Sequence, residues 1–164
     1  MIYYSVAIYL PESRNFFRLG GAFRNLLCRK LFKKCAKTAN IERGARFGTG
    51  FNIEIGEHSG IGINANIPST TIIGNNVMMG PNCYILGQNH EFGRTDIPMI
   101  KQGYRKTTPT IIEDDVWIGR DVLMTPGRHI LEGSIIAAGC VLCKDFPEYS
   151  IVGGNPSRLI RSRK

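Results

Sequence analysis

The 164-residue chain carries 21 Lys and Arg against 13 Asp and Glu, with 43% hydrophobic residues, nineteen Gly and eight Pro. That length and apolar content suit one domain with a sizeable core and exclude a disordered or fibrous chain. Five Cys, an odd number without a paired framework, argue for a reducing compartment.

The net charge of +8 is unevenly placed. Residues 1–46 hold ten basic residues and two acids, residues 47–150 seven and eleven, and residues 151–164 four and none. The body is therefore mildly acidic and both ends are basic. No aromatic stacking platform sits among the basic residues, so nucleic acid is not an expected partner. Phosphate groups or an anionic surface suit the ends better. No positive charge precedes the apolar stretch Ile2–Leu10 and no small-residue cleavage site follows it. No apolar run approaches the length of a membrane span. A cytoplasmic protein is expected.

In chain order, Ile2–Leu10 reads as a strand or an extended arm. Pro11-Glu12-Ser13 is a helix-start signal with Ser13 as N-cap. Phe16, Leu19, Phe23, Leu26, Leu27, Leu31 and Phe32 then recur at helical spacing through Arg14–Lys37, and Gly20-Gly21 leaves one helix or two open. Arg29, Lys30, Lys33, Lys34 and Lys37 make the second half basic. The expected role of this 1–40 segment, an arm and a basic amphipathic helix, is to cover the end of the body. A second reading lays the helix on an anionic membrane as a peripheral contact.

From residue 41 a six-residue period takes over. Large apolar residues fall at Ile55, Ile61, Ile67, Ile73, Met79 and Ile85, and again at Ile112, Ile118, Met124, Ile130, Ile136 and Leu142. Four places after each lies a second set, mostly small, that includes Ser59, Ala65, Cys83, Ser134 and Cys140. A hexapeptide period marks an all-β parallel β-helix. Alternate residues of a strand face the same way, so both sets point inward, and three hexads close one triangular coil. Gly, with Asn75, Asn76 and Asn82, suits corners that need positive φ. Asn40–Glu54 reads as an irregular first coil in which Ile41 and Phe47 keep the period before a two-residue slip. Residues 90–110 break the repeat. This polar, charged loop inside a compact domain is of the kind that usually carries function. Repeats end near Phe146, the domain closes at residue 157, and 158–164 reads as a basic tail.

The three His are His58 and His129, near corners, and His90, which opens the long loop. Their separations of 32 and 39 residues are not multiples of an eighteen-residue coil, so they do not converge on one metal. No metal is expected. Imidazole titrates near neutrality and can take a proton from a hydroxyl, which makes His90 the candidate base, with Glu91, Asp96 or a backbone carbonyl as candidates to orient it.

The repeat, the Asn89-His90 loop, the run Asp114-Asp115-Val116-Trp117-Ile118-Gly119 and the close Ile151-Val152-Gly153-Gly154-Asn155-Pro156 together resemble the hexapeptide-repeat acyltransferases. The nearest likeness is to sugar and polysaccharide O-acetyltransferases of the maltose and colanic-acid type, and it covers about Asn40–Arg161. It implies a left-handed β-helix, a homotrimer with sites between subunits, and transfer of acetyl from acetyl-CoA to a sugar hydroxyl in polysaccharide biosynthesis, with His90 catalytic. By position, the resemblance places acetyl-CoA against Arg120, Ala138, Cys143, Lys144, Arg158 and Arg161. Arg120 and Cys143 stand where the family commonly has small polar residues, while Lys144, Arg158 and Arg161 suit phosphates. Serine or xenobiotic O-acetyl transfer and a non-catalytic scaffold are the alternatives.

Overall fold

Each hexad supplies a two-residue strand and a corner. The computed structural model, which describes residues 2–14 and 19–164, stacks them as a parallel β-solenoid of about six coils with a short helical N-terminal segment. The first face carries Lys34–Cys35, Glu54–Ile55, Ile72–Ile73, Ile111–Ile112 and His129–Ile130, paired in that order. The second carries Asn40–Ile41 and Gly60–Ile61, then Met78–Met79, Trp117–Ile118, Ile135–Ile136 and Ser150–Gly153. The third carries single bridges at Arg46 and Asn66, then Tyr84–Ile85, Leu123–Met124 and Val141–Leu142.

The expected inward sets form the core. Ile55, Ile61, Ile112, Ile118 and Met124 are fully buried, as are Ala65, Cys83, Val116 and Cys140. Each buried aliphatic side chain contributes about 1.5–3 kcal/mol of transfer free energy. Corners follow the same period. His58, Asn64, Asn76, Asn82, Asp115 and Asp121 have positive φ, and Gly127, Gly133 and Gly139 take the equivalent place. Short polar side chains tolerate that conformation best after Gly.

Asn75 differs from the expectation. It has no positive φ. Instead its side chain bridges coils, accepting from Glu57 N at 2.9 Å and donating to Asp114 Oδ2 at 3.0 Å. Those bonds from Asn75 hold the Asp114 carboxyl below its usual range.

The N-terminal segment departs further. Ile2–Leu10 is not a strand or arm. It forms helix α1 (Ile2–Ser5) and a 3-10 turn (Ala7–Tyr9). Tyr3 drives this, since its ring is buried against Phe47 and its hydroxyl donates to Ala45 O at 2.9 Å. Helix α2 (Leu19–Leu31) runs through Gly20 and Gly21 without a break. Both glycines allow close approach, because a Cβ on Gly20 would come within 2.4 Å of Pro11 O. The helix ends before the expected Lys37, and Lys34–Cys35 already forms the first strand. Phe16 lies outside the described residues. Ser13 is bound to the first coil, its hydroxyl donating to Asn40 Oδ1 at 2.6 Å. The tail is also structured. Arg158–Ser162 folds back antiparallel on Ser150–Gly153, after a cis Asn155–Pro156 bond. No helix among the described residues is long and apolar enough to cross a membrane.

Candidate active site

The loop that interrupts the repeat leaves the edge between the third and first faces, after Tyr84–Ile85, and returns at Ile111. Its two limbs form a short antiparallel ladder. Glu91 N donates to Gly103 O at 3.0 Å and Arg105 N to Asn89 O at 2.9 Å, so His90 faces Tyr104. Gln102 ties the tip, donating to Arg94 O and Ile97 O at 2.8 and 3.0 Å. A side chain on Gly127 would collide with Thr108, so the returning limb lies against the next coil.

His90 is exposed, and its ring lies on that of Tyr104 with centroids 4.4 Å apart. Neither expected orienting acid reaches it. Glu91 pairs with Arg105 at 3.5 Å, and Asp96 is held by Arg94. Arg105 also stacks over Phe92 at 4.2 Å. Among the described residues no side chain hydrogen-bonds the imidazole, whose one ring contact is the stack on Tyr104. Tyr104 is the residue that sequence reasoning missed. Its signal was weak: one of two aromatics in a polar loop, meaningful only once the loop's register is known.

The other two His are apart from this loop. His58 sits exposed at a corner, as expected. His129 is on a first-face strand rather than a corner, with Nε2 2.7 Å from Glu113 Oε1. No set of three His, Cys, Asp or Glu among the described residues is placed to hold a metal ion.

The six positions assigned to acetyl-CoA frame the third face. Arg120 and Ala138 lie on its edge toward the second face, joined through Gly139 N, which donates to Arg120 O at 2.9 Å. Gly119 packs there so closely that a Cβ would come within 2.5 Å of Ala138 N. Cys143 and Lys144 lie on the opposite edge, the one from which the His90 loop springs two coils earlier. Thr125 N donates to Leu142 O, and Arg128 donates to Cys143 O at 3.0 Å, which links the intervening coil to it. Ser157 N donates to Val141 O at 3.1 Å, bringing Arg158 over the end of the third face. Arg161 sits on the folded-back strand opposite Ile151, farther round the second face.

Their electrostatics separate them. The Arg120 guanidinium is 2.7 Å from Asp121 and its charge is already matched. Lys144, Arg158 and Arg161 have no carboxylate partner among the described residues, and Lys144 only hovers over the Phe146 ring at 5.3 Å. Cys143 Sγ lies 3.3 Å from Ser157 Oγ, and that hydrogen bond holds its thiol below the ordinary range. Trp117 is half exposed on the outer side of the second face, in register with Met78 and Ile135.

No protein-family model matches the chain. Curated and solved relatives do. It is 32% identical to galactoside O-acetyltransferase of Escherichia coli K12, over 75% of this chain and 54% of that one. It is similar to a maltose O-acetyltransferase of Clostridium difficile, with 29% identity and a TM-score of 0.77 over 96% of this chain and 81% of the other. A hexapeptide-repeat acetyltransferase of Vibrio cholerae, solved in complex with acetyl-coenzyme A, gives 31% identity and a TM-score of 0.76 over 87% and 78%. The chain spans about half the length of the curated relatives it matches. Solenoid, inserted loop and likeness agree, and the chain belongs to the hexapeptide-repeat acetyltransferase family.

Proposed function

We propose that the protein moves acetyl from acetyl-CoA to a hydroxyl of a sugar, in the cytoplasm and in the service of polysaccharide biosynthesis, as a homotrimer with sites between subunits. The observation that carries the reading is His90: an exposed imidazole with no hydrogen bond to its ring among the described residues, held on Tyr104 in the loop that breaks the repeat. The V. cholerae relative, solved with acetyl-coenzyme A, supports the donor. The maltose and galactoside enzymes support a sugar acceptor.

In this scheme His90 takes the proton of the acceptor hydroxyl as the oxygen attacks the thioester carbonyl. The resulting oxyanion is met by backbone amides, which in such reactions is worth several kcal/mol. The carbon–sulfur bond breaks, and the leaving CoA thiolate takes the proton back from the imidazolium. No acyl-enzyme forms. Lys144, Arg158 and Arg161, whose charges have no carboxylate partner among the described residues, would meet phosphates of the donor. Arg120, already paired with Asp121, would contribute backbone contacts only.

The test is a CoA-release assay with acetyl-CoA across mono- and disaccharide acceptors, with serine and xenobiotic alcohols as comparison. Acetylated sugar, identified by mass, supports the reading. Turnover confined to serine or xenobiotics would reassign the acceptor, and no turnover with any acceptor would favour a non-catalytic scaffold.

A further inference from the structure

The N-terminal end of the solenoid is closed by α1, the 3-10 turn and α2, and the outer side of this cap is apolar. Tyr3, Ala7 and Ile8 turn inward and are buried, while Ile2, Val6 and Tyr9 recur at i, i+4 and i+7 on the other side and are half or more exposed. The turn lies against α2: Arg24 donates to Leu10 O at 3.0 Å, and a Cβ on Gly20 would come within 3.4 Å of Leu10 Cβ. Leu19, exposed, opens α2 beside Gly20. Phe51, also exposed, stands just after Gly48, whose carbonyl accepts from the Tyr4 hydroxyl at 2.9 Å. Closure of the coil does not need these outer side chains, because the cap is anchored by Tyr3, Arg24 and Asn25, the last donating to Ala39 O at 2.7 Å.

Basic residues border the apolar stripe. Gly44 N donates to Ile8 O at 3.1 Å and Ala45 O accepts from Tyr3, so Arg43 and Arg46 flank the line along which α1 and the turn cross the first coil. Lys30 lies in the last turn of α2. All three are exposed, and none is hydrogen-bonded or ion-paired through its side chain among the described residues. Acids do not balance them. Residues 1–46 hold ten basic residues against Glu12 and Glu42, and Glu42 is committed to Ser13 N at 3.0 Å and Asn40 Nδ2 at 2.8 Å.

An apolar stripe inside a basic rim is poorly matched to bulk water. It matches an interface in which hydrocarbon lies beneath negatively charged head groups, where apolar burial and electrostatic attraction add. The amphipathic ring of Tyr9 suits the head-group level, and the Lys30 stem can lie along apolar surface with its charge outward. We propose that this cap seats the protein on an anionic phospholipid bilayer, with Ile2, Val6 and Tyr9 entering the head-group region and Lys30, Arg43 and Arg46 on lipid phosphates. The seat is separate from the second face that carries Met78 and Trp117. In the proposed trimer a threefold rotation would keep all three caps at one end, so a single assembly would present three seats to one membrane.

Vesicle flotation of the full chain tests this, with phosphatidylcholine alone and with phosphatidylcholine carrying about one-third phosphatidylglycerol. Three triple variants are compared with wild type: Ile2→Ser with Val6→Ser and Tyr9→Ser; Lys30→Gln with Arg43→Gln and Arg46→Gln; and Lys144→Gln with Arg158→Gln and Arg161→Gln, which removes equal charge from the far end. All nine side chains are exposed or at a rim, and melting temperatures are measured first. Wild type should float with the anionic vesicles at low salt and not with phosphatidylcholine alone. Both cap variants should lose about tenfold or more in partitioning, and the Lys144 variant should stay within about twofold. Tyr9→Trp, which removes nothing from the fold, should shift its emission to the blue on anionic vesicles, against a wild type whose only Trp is Trp117. The proposal is overturned by absence of anionic binding, by equal loss in the Lys144 variant, which would mean general attraction of a basic protein, by full binding of the apolar variant, or by an unshifted Tyr9→Trp. It is also overturned if the apolar variant, without vesicles, sediments as a smaller assembly than wild type, because the stripe would then be a contact between copies. No readout involves acetyl transfer, so failure here leaves the catalytic reading untouched.

Discussion

The imidazole of His90 and the phenol of Tyr104 stack with centroids 4.4 Å apart and planes inclined by 30°, across an antiparallel bridge formed by the same two residues. Backbone pairing and ring contact thus together position His90, the proposed base. His90→Ala should fold and bind acetyl-CoA yet lose at least ~10²-fold in kcat, as expected when a general base is removed. Tyr104→Phe keeps the stack and should stay near wild type. Tyr104→Ala removes it and should lower kcat while leaving KM for acetyl-CoA unchanged. Steady-state kinetics with the best sugar acceptor checks all three, and a His90→Ala enzyme within a few-fold of wild type would sink the assignment.

Arg24 is the structural counterpart, a fully buried guanidinium in α2. Its Nε donates to Ile41 O at 2.5 Å, and its terminal nitrogens to Leu10 O at 3.0 Å and Pro11 O at 3.1 Å. One side chain therefore ties the helix, the N-terminal turn and the first coil. Burial lowers its pKa, and the nearby Glu42 opposes that shift. Arg24→Ala would orphan several carbonyls and leave Glu42 without its cation, at a cost of about 3–5 kcal/mol, the range for breaking a buried pair. Arg24→Lys should recover only part, because an ammonium lacks the planar fork. Urea denaturation gives both numbers. A loss under about 1 kcal/mol for Arg24→Ala would show that the segment is held by other contacts.

These two residues also mark what the sequence makes legible. The core positions from Ile55 to Leu142 could be read because each coil imposes the same local demand, an inward aliphatic residue and a corner, every six residues. Ile2–Leu10 could not, because Tyr3 is helical for the sake of Phe47 and Ala45, more than forty residues away. The helical spacing carries no sign of the burial of Arg24; only the path of the first coil encloses it. Arg158–Ser162 read as a tail because its pairing with Ser150–Gly153 rests on a reversal rather than on the period. In the loop, His90 stood out by residue type. Glu91 and Asp96 were plausible neighbours in sequence, but Arg105 and Arg94 outcompete the imidazole for them.

The proposed homotrimer would give the second face a use. Met78 and Trp117 are neighbours across that sheet, 59% and 50% exposed on its outer side, and Leu159 and Ile160 extend the apolar surface at the folded-back strand. Apolar surface of this extent on a regular sheet suits contact with another chain. Sedimentation should give three times the 18.3 kDa chain mass. Trp117→Glu, which puts a charge in that contact, should shift the protein toward monomer and abolish transfer. A wild-type monomer that turns over, or a fully active monomeric Trp117→Glu variant, would rule out sites shared between subunits.

The final prediction separates the two basic ends. Lys144, Arg158 and Arg161 have no carboxylate partners among the described residues; Lys144 and Arg158 border the end of the third face and Arg161 lies round on the second, and their charge is available to donor phosphates. Phosphates lie far from the reacting thioester and contribute equally to ground and transition states. Lys144→Ala should therefore raise KM for acetyl-CoA with kcat nearly unchanged. One exposed charge-assisted contact is worth on the order of 1–2 kcal/mol, which corresponds to roughly a five- to thirtyfold rise. Added salt should weaken donor binding in the wild type and less so in the variant, because screening acts on a contact the variant has already lost. Dephospho-CoA derivatives should be insensitive to whichever residue meets the 3′-phosphate. Arg120→Ala should have a smaller effect, since Asp121 already neutralises that guanidinium. Lys30→Ala, Lys33→Ala and Lys34→Ala should leave KM unchanged: Lys33 is spoken for by Glu54, and all three lie at the far end of the solenoid. Donor affinity across both groups of variants decides the matter, and weakening by the N-terminal group alone would move acetyl-CoA to the other end of the molecule.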